Sequence, residues 1–223
     1  MLSRVNLAFS KQFHLKRFLQ ARCMSNGDNN SWKDVLDYWF SPGAESKWFG
    51  GGEKVDNEIK DQFGKMVELA HQGGLKDWEL EPKPSLALII LTDQFSRSIY
   101  RGSPKSFDGD ERARKLTKKF LERKTHDHLK QSFNERLFIY LPMEHSEDPS
   151  DQELSVALVE QLAKDAEATE YAEKTKGFVQ FAKNHKEIID MFGRYPQRNK
   201  ILGRKNTDAE EEFLNNMPEK YKW

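Results

Sequence analysis

Pro84-Ser85-Leu86-Ala87-Leu88-Ile89-Ile90-Leu91-Thr92-Asp93-Gln94-Phe95-Ser96-Arg97 is apolar on every side from Leu86 to Leu91 and then turns polar. Proline at the opening of such a run predicts a helix buried on most of its faces, the central helix of the fold. It is also the longest apolar run in the chain, far short of the roughly 20 residues a bilayer span needs, so no transmembrane helix is predicted. Upstream, Ser31-Trp32-Lys33-Asp34 is a capping-type start for a short helix carrying Val35, Leu36, Trp39 and Phe40, closed by Ser41-Pro42-Gly43. After Gly50-Gly51-Gly52, the residues Val55, Ile59, Phe63, Met66, Val67 and Ala70 recur at steps of three and four, an amphipathic helix that Gly73-Gly74 terminates.

Downstream the same period continues. Helices are expected over Asp110 to Glu122, Phe133 to about Leu141 and Asp151 to Ala163, the last behind a Ser150…Glu153 capping box. A long one is expected around Phe178, Phe181, Ala182, Ile188 and Ile189, and Thr207…Glu210 boxes the start of a final helix with Phe213 and Leu214. Strand alternation is absent from Ser31 onward, so residues 31–223 read as one all-α domain. Short connections predict antiparallel helical hairpins stacked in a layered array, and no fixed 34-residue repeat signature is present.

The chain of 223 residues holds 36 Lys and Arg against 36 Asp and Glu. No global field therefore favours nucleic acid or an anionic membrane, and charge recognition must be local. At 37% hydrophobic and 32% charged, with 15 Phe and 5 Trp, it is polar on average yet equipped to fill a core. The single cysteine, Cys23, excludes an internal disulfide and a multi-cysteine metal site. Residues 1–30 differ from the rest: Arg4, Lys11, Lys16, Arg17 and Arg22 alternate with Leu and Phe, and no acidic residue precedes Asp28. That pattern is expected of a mitochondrial transit peptide; a basic tail ahead of a start at Met24, with a cytoplasmic protein, is the alternative.

Three segments carry candidate chemistry. Asp93, Arg97 and Arg101 stand at i, i+4 and i+8 at the end of the buried helix, nearly on one face if the helix runs through Tyr100. Phe192-Gly193-Arg194-Tyr195-Pro196-Gln197-Arg198-Asn199-Lys200-Ile201-Leu202-Gly203-Arg204 sets three arginines among aromatics in a turn-forming segment, the combination used for carboxylate or phosphate recognition and for buried ion pairs. If these segments converge, Arg97, Arg101, Arg194, Arg198 and Arg204 outnumber Asp93 and Glu144, and the excess guanidinium awaits an anion. Third, Pro142-Met143-Glu144-His145-Ser146-Glu147 puts an imidazole between carboxylates. His145 reads as a general acid or base, assisted by Glu144 or by His185, or as a capping histidine at a helix C-terminus. Neighbours on one helix point apart, and the i, i+4 histidine pair of a zinc helix is missing, so no metal is expected. Nor is any cofactor: Gly50-Gly51-Gly52 lacks the lysine and strand of a phosphate cradle, and there is no nucleophile elbow or basic-aromatic groove for nucleic acid.

Leu91-Thr92-Asp93-Gln94-Phe95-Ser96-Arg97-Ser98-Ile99-Tyr100-Arg101-Gly102, Glu144-His145-Ser146-Glu147, Phe192-Gly193-Arg194-Tyr195-Pro196-Gln197-Arg198-Asn199 and Leu202-Gly203-Arg204 resemble the signature blocks of domain-of-unknown-function family 924, over about Trp32 to Leu214. The resemblance implies an all-α, tetratricopeptide-like superhelical fold with no established activity, and its blocks add Asn199 to the ligand-binding set. Gln197 departs from the histidine usual there and Asn206 from the usual serine, so a mechanism needing an imidazole between Arg194 and Arg198 does not carry over. Three functions follow from these readings. An arginine-lined site binds an anionic small molecule or peptide; or an enzyme uses His145 on an anionic substrate held by Arg97, Arg194 and Arg198; or a helical scaffold binds protein partners and the charges only lock its helices.

Overall fold

The computed structural model describes residues 31–49 and 51–222; the basic segment up to Asn30, with Cys23 and Met24, lies outside the described residues. Nine α-helices are described: α1 Trp32–Phe40, α2 Gly52–His71, α3 Pro82–Ile89, α4 Ser96–Ile99, α5 Asp110–Leu121, α6 Phe133–Glu144, α7 Pro149–Asp165, α8 Ala172–Phe192 and α9 Asp208–Asn215. Short 3-10 turns connect several of them, and no strand occurs among the described residues. The fold is all-helical.

Leu86 to Leu91 are fully buried, as an apolar-all-round run requires. The central place is shared, however, because every residue of α6 from Arg136 to Glu144 is buried as well. Periodicity hid that second central helix, since an element buried all round has no polar face to mark it. Around the pair, Trp39, Trp48, Phe95 and Phe138 interlock edge to face, with centroids 5.2 Å apart for Trp39–Phe95 and 4.8 Å for Trp48–Phe138. This geometry adds specific ring electrostatics to the burial. Helix α3 packs on α1, α5 and α6, and α5, α6, α7 and α8 each lie against the next.

Helix boundaries follow local chemistry. The expected Thr207…Glu210 box is formed, and a further box, Ser132…Glu135, starts α6. Helix α7 begins two residues before the expected Asp151, because Asp148 takes the N-cap, accepting from the Ser150 amide, with Pro149 at the first helical position. Gly193, at φ 68°, ends α8 in the left-handed conformation, and its amide returns to the Ile189 carbonyl.

Between α3 and α4 the helix widens. Ile90–Phe95 is a π-helical stretch, and it holds Asp93. The Thr92 hydroxyl donates to the Leu88 carbonyl at 2.7 Å and the Ser96 hydroxyl to the Leu91 carbonyl at 3.0 Å, side-chain bonds that occupy backbone oxygens in the disturbed ladder. Gly109 explains what the widened turn meets: a Cβ there would lie 2.2 Å from the Thr92 carbonyl oxygen. Only glycine lets the start of α5 come this close, and Asp110 is thereby delivered to the Asp93–Arg97 turn.

Candidate functional site

Asp93 is the centre of the polar interior. It is 1% exposed, and its Oδ1 accepts from His145 Nδ1–H at 2.7 Å while Oδ2 accepts from the Gln94 amide at 2.6 Å. Arg97 stands beside it, 3.4 Å from Oδ1, and donates to the Asp93 backbone carbonyl. Burial alone would raise the Asp93 carboxyl; the His145 and Arg97 beside it outweigh that and hold it well below the usual range. The imidazole is itself pushed down by burial and by Arg97, with Asp93 opposing. Near neutral pH the pair is thus an ionised carboxylate and a neutral imidazole whose Nδ1–H is fixed.

Arg97 also makes a two-pronged contact with Asp110, at 2.9 and 3.1 Å. Arg198 follows: its Nη2 donates to the His145 backbone carbonyl at 2.9 Å, whereas its nearest carboxylate oxygen, on Asp110, is 3.9 Å away. The guanidinium lies over two rings, 4.4 Å from the Tyr195 centroid and 4.9 Å from that of Phe107. Burial and the nearby Arg97 both pull Arg198 below the ordinary arginine range. Phe107, Arg114, His145 and Arg198, with the carboxylates of Asp110, Glu111 and Glu147, line one cleft of about 360 Å³. Among the described residues His145 Nε2 makes no hydrogen bond, which leaves it to that cleft.

The other arginines are engaged elsewhere. Arg101 lies beyond the end of α4 at Ile99, so the expected three-residue face is broken; it pairs with Asp56 of α2 with most of its side chain in solvent. Arg194 clamps Glu210 at the start of α9 and also donates to the Lys205 carbonyl. Its hydrogen bond to Arg194 holds Glu210 down to about 2. Arg204 grips Glu147 at 2.6 and 2.9 Å, donates to the Tyr195 carbonyl, and is positioned by the buried Asn199, which donates in turn to Asn206. The expected excess of positive charge is therefore absent: Arg97, Arg198 and Arg204 face Asp93, Asp110 and Glu147.

Glu144 and His145 diverge, as consecutive helical residues must. Glu144 is 2% exposed and lines a separate, mainly apolar cavity, and burial followed by the charge on Asp93 raises its carboxyl to about 8. His185 is buried with its Nδ1 against the Phe181 carbonyl at 3.0 Å and 3.6 Å from Glu144 Oε1; burial drives it down to about 3. Its ring centroid is 6.4 Å from that of His145, and it is not among the residues lining the polar cleft. Gln197 keeps both amide atoms buried without a hydrogen-bond partner among the described residues.

Sequence reasoning missed Asp110, Phe107 and Arg114. An acidic residue just after a glycine at a helix start reads as a complement to the helix dipole, and that ordinary role concealed Asp110. Among the described residues no three His, Cys, Asp or Glu side chains gather as metal ligands do, and no helix is long and apolar enough to cross a membrane.

The family described as "Bacterial protein of unknown function (DUF924)" matches residues 35–218. This chain belongs to DUF924. A protein of unknown function from Agrobacterium tumefaciens has a solved structure similar to this DUF924 chain: 31% identity, TM-score 0.69, covering 83% of this chain and 97% of the other. No curated protein matches it. Membership supports the all-helical fold and assigns no activity.

Proposed function

We propose that this protein binds a small anion, a carboxylate or phosphate compound, in the cleft between Arg198 and His145. The observation that carries this reading is the state of Arg198. It alone among the five arginines singled out makes no hydrogen bond to a carboxylate, yet two rings and the His145 carbonyl fix it at the cleft wall. A guanidinium so held presents a preset fork to an incoming anion. Arg97, Arg204 and Asn199 act in this reading as its supports. Tested by thermal shift at constant ionic strength, inorganic phosphate, pyrophosphate and succinate should include at least one compound that stabilises the wild type beyond a chloride control and leaves Arg198→Ala unmoved. Equal shifts in both proteins, or none in either, would leave the cluster as a lock for a helical scaffold.

A second reading rests on the Asp93–His145 bond. A buried carboxylate orienting a neutral imidazole is what a general base requires, and the substrate anion would sit on Arg198. Mass spectrometry of an anionic metabolite mixture after incubation should then show consumption by the wild type and none by His145→Gln. Consumption by both proteins excludes His145 as the base.

The helices packed in succession from α5 to α8 support a stack of hairpins of the tetratricopeptide-like kind as the frame. Residues 1–30 act in this reading as a mitochondrial leader, on the strength of their basic, acid-poor composition. Incubation of the full chain with isolated energised mitochondria should give a protease-protected, shortened product; an unprocessed, accessible chain would favour initiation at Met24 and a cytoplasmic location.

A further inference from the structure

The cavity beside Glu144 lies apart from the anion cleft and holds a feature that packing does not explain. Its volume is about 290 Å³, and its wall is formed mainly by Phe49, Leu137, Leu141, Phe178 and Phe181, with Lys174 of α8 also lining it. Apolar cavities of about 150 Å³ already hold a benzene-sized molecule, so this one accommodates a ring with a short chain. Glu144 is the buried acid in that wall. Neither of its carboxyl oxygens is hydrogen-bonded among the described residues, and Oε1 is sealed from solvent without a partner. His185 Nδ1, 3.6 Å from Oε1, donates to the Phe181 carbonyl and has no second proton to give while the ring is neutral. A buried polar group left this way costs stability that a ligand would recover.

We propose that this cavity binds a neutral apolar molecule carrying one hydroxyl group, which hydrogen-bonds to the Glu144 carboxyl. The chemistry selects that head group. A neutral carboxylic acid offers one donor and one acceptor, and a hydroxyl answers both, whereas a hydrocarbon answers neither. A ligand carboxylate would bring a second negative charge toward Asp93. The phenylalanines favour an aromatic body, through offset or edge-to-face contact.

Gly177 supplies the control. It lines the cavity on α8, and a Cβ there meets nothing within 4 Å, so a side chain at 177 enters open space. Replacing a helical glycine also favours the helix, so Gly177→Met folds and fills the cavity. The probes are 4-ethylphenol and 4-ethyltoluene, which differ by a hydroxyl against a methyl, and their dissociation constants are measured by NMR titration of the full chain. Wild type is expected to bind the phenol about tenfold more tightly, the factor one buried hydrogen bond commands. Glu144→Met should bring the two affinities together without loss of the hydrocarbon, and Gly177→Met should bind neither. Equal affinities in the wild type, no binding of either probe, or undiminished binding to Gly177→Met would each overturn the proposal. Arg198 and His145 are unchanged in all of these variants, and the phenol and hydrocarbon probes carry no charge, so failure here is distinguishable from failure of the anion cleft.

Discussion

Asp93 and Glu144 are both buried carboxyls, and their surroundings hold them in opposite protonation states. Asp93 keeps its charge because a guanidinium and an imidazole donor face it; Glu144, with no cation beside it, keeps its proton to about pH 8. Their effects on stability therefore have opposite sign. For Asp93 the folded value is depressed, so its contribution is present above the ordinary aspartate range and lost as pH falls. For Glu144 the folded value is raised, so its contribution is complete below about 4.5 and is lost as pH climbs toward 8. Glu144→Gln removes the second loss. Urea unfolding between pH 5 and 9 should show wild-type stability declining by on the order of 4 kcal/mol from pH 5 to about pH 8 and levelling beyond it, and the variant declining much less. Parallel curves would mean that Glu144 is not held neutral. The Glu144-His145-Ser146-Glu147 run was legible as a place of chemistry, but the states of its members were not. They depend on Asp93 and Arg97, some fifty positions earlier in the chain, and on which side of α6 is dry.

The π-helical stretch is the element on which the cleft depends. An apolar run followed by Thr-Asp-Gln-Phe-Ser-Arg announces a helix end, and the Asp93–Arg97 pairing was readable from the spacing. The widening was not, because it is decided by a partner: Gly109 lies against the Thr92 carbonyl. The regular helix then ends at Ile99, ahead of the left-handed Gly102 at φ 77°, and Arg101 goes to Asp56 instead of to the cluster. Gly109→Ala should therefore lower the unfolding free energy by about 2 kcal/mol, as overpacking does, measured from the urea midpoint. It should also weaken phosphate stabilisation of the fold, since Asp110 would be moved away from Arg97. An unchanged midpoint would refute the close approach as a determinant of the site.

At the scale of the whole molecule, the 192–204 loop is a latch with one inward finger. Arg194 and Arg204 close it onto α9 and onto Glu147 between α6 and α7, and Tyr195 anchors it by donating to the Glu144 carbonyl at 2.5 Å. Arginines among aromatics in a turn marked the loop as a recognition or locking segment, and it contains both uses. Which arginine does which is set by carboxylates on α9, on α5 and at the α6–α7 junction, and no local spacing discloses them. What remains after these pairings is Arg198 opposite His145, and the central claim is that one anion touches both. The direct test is an NMR pH titration of the His145 imidazole in the wild type and in Arg198→Ala, with and without saturating inorganic phosphate. A bound anion favours the imidazolium, so phosphate should raise the His145 midpoint by about one pH unit in the wild type and leave it unmoved in Arg198→Ala. A midpoint indifferent to phosphate in the wild type, or raised equally in both proteins, would contradict the claim.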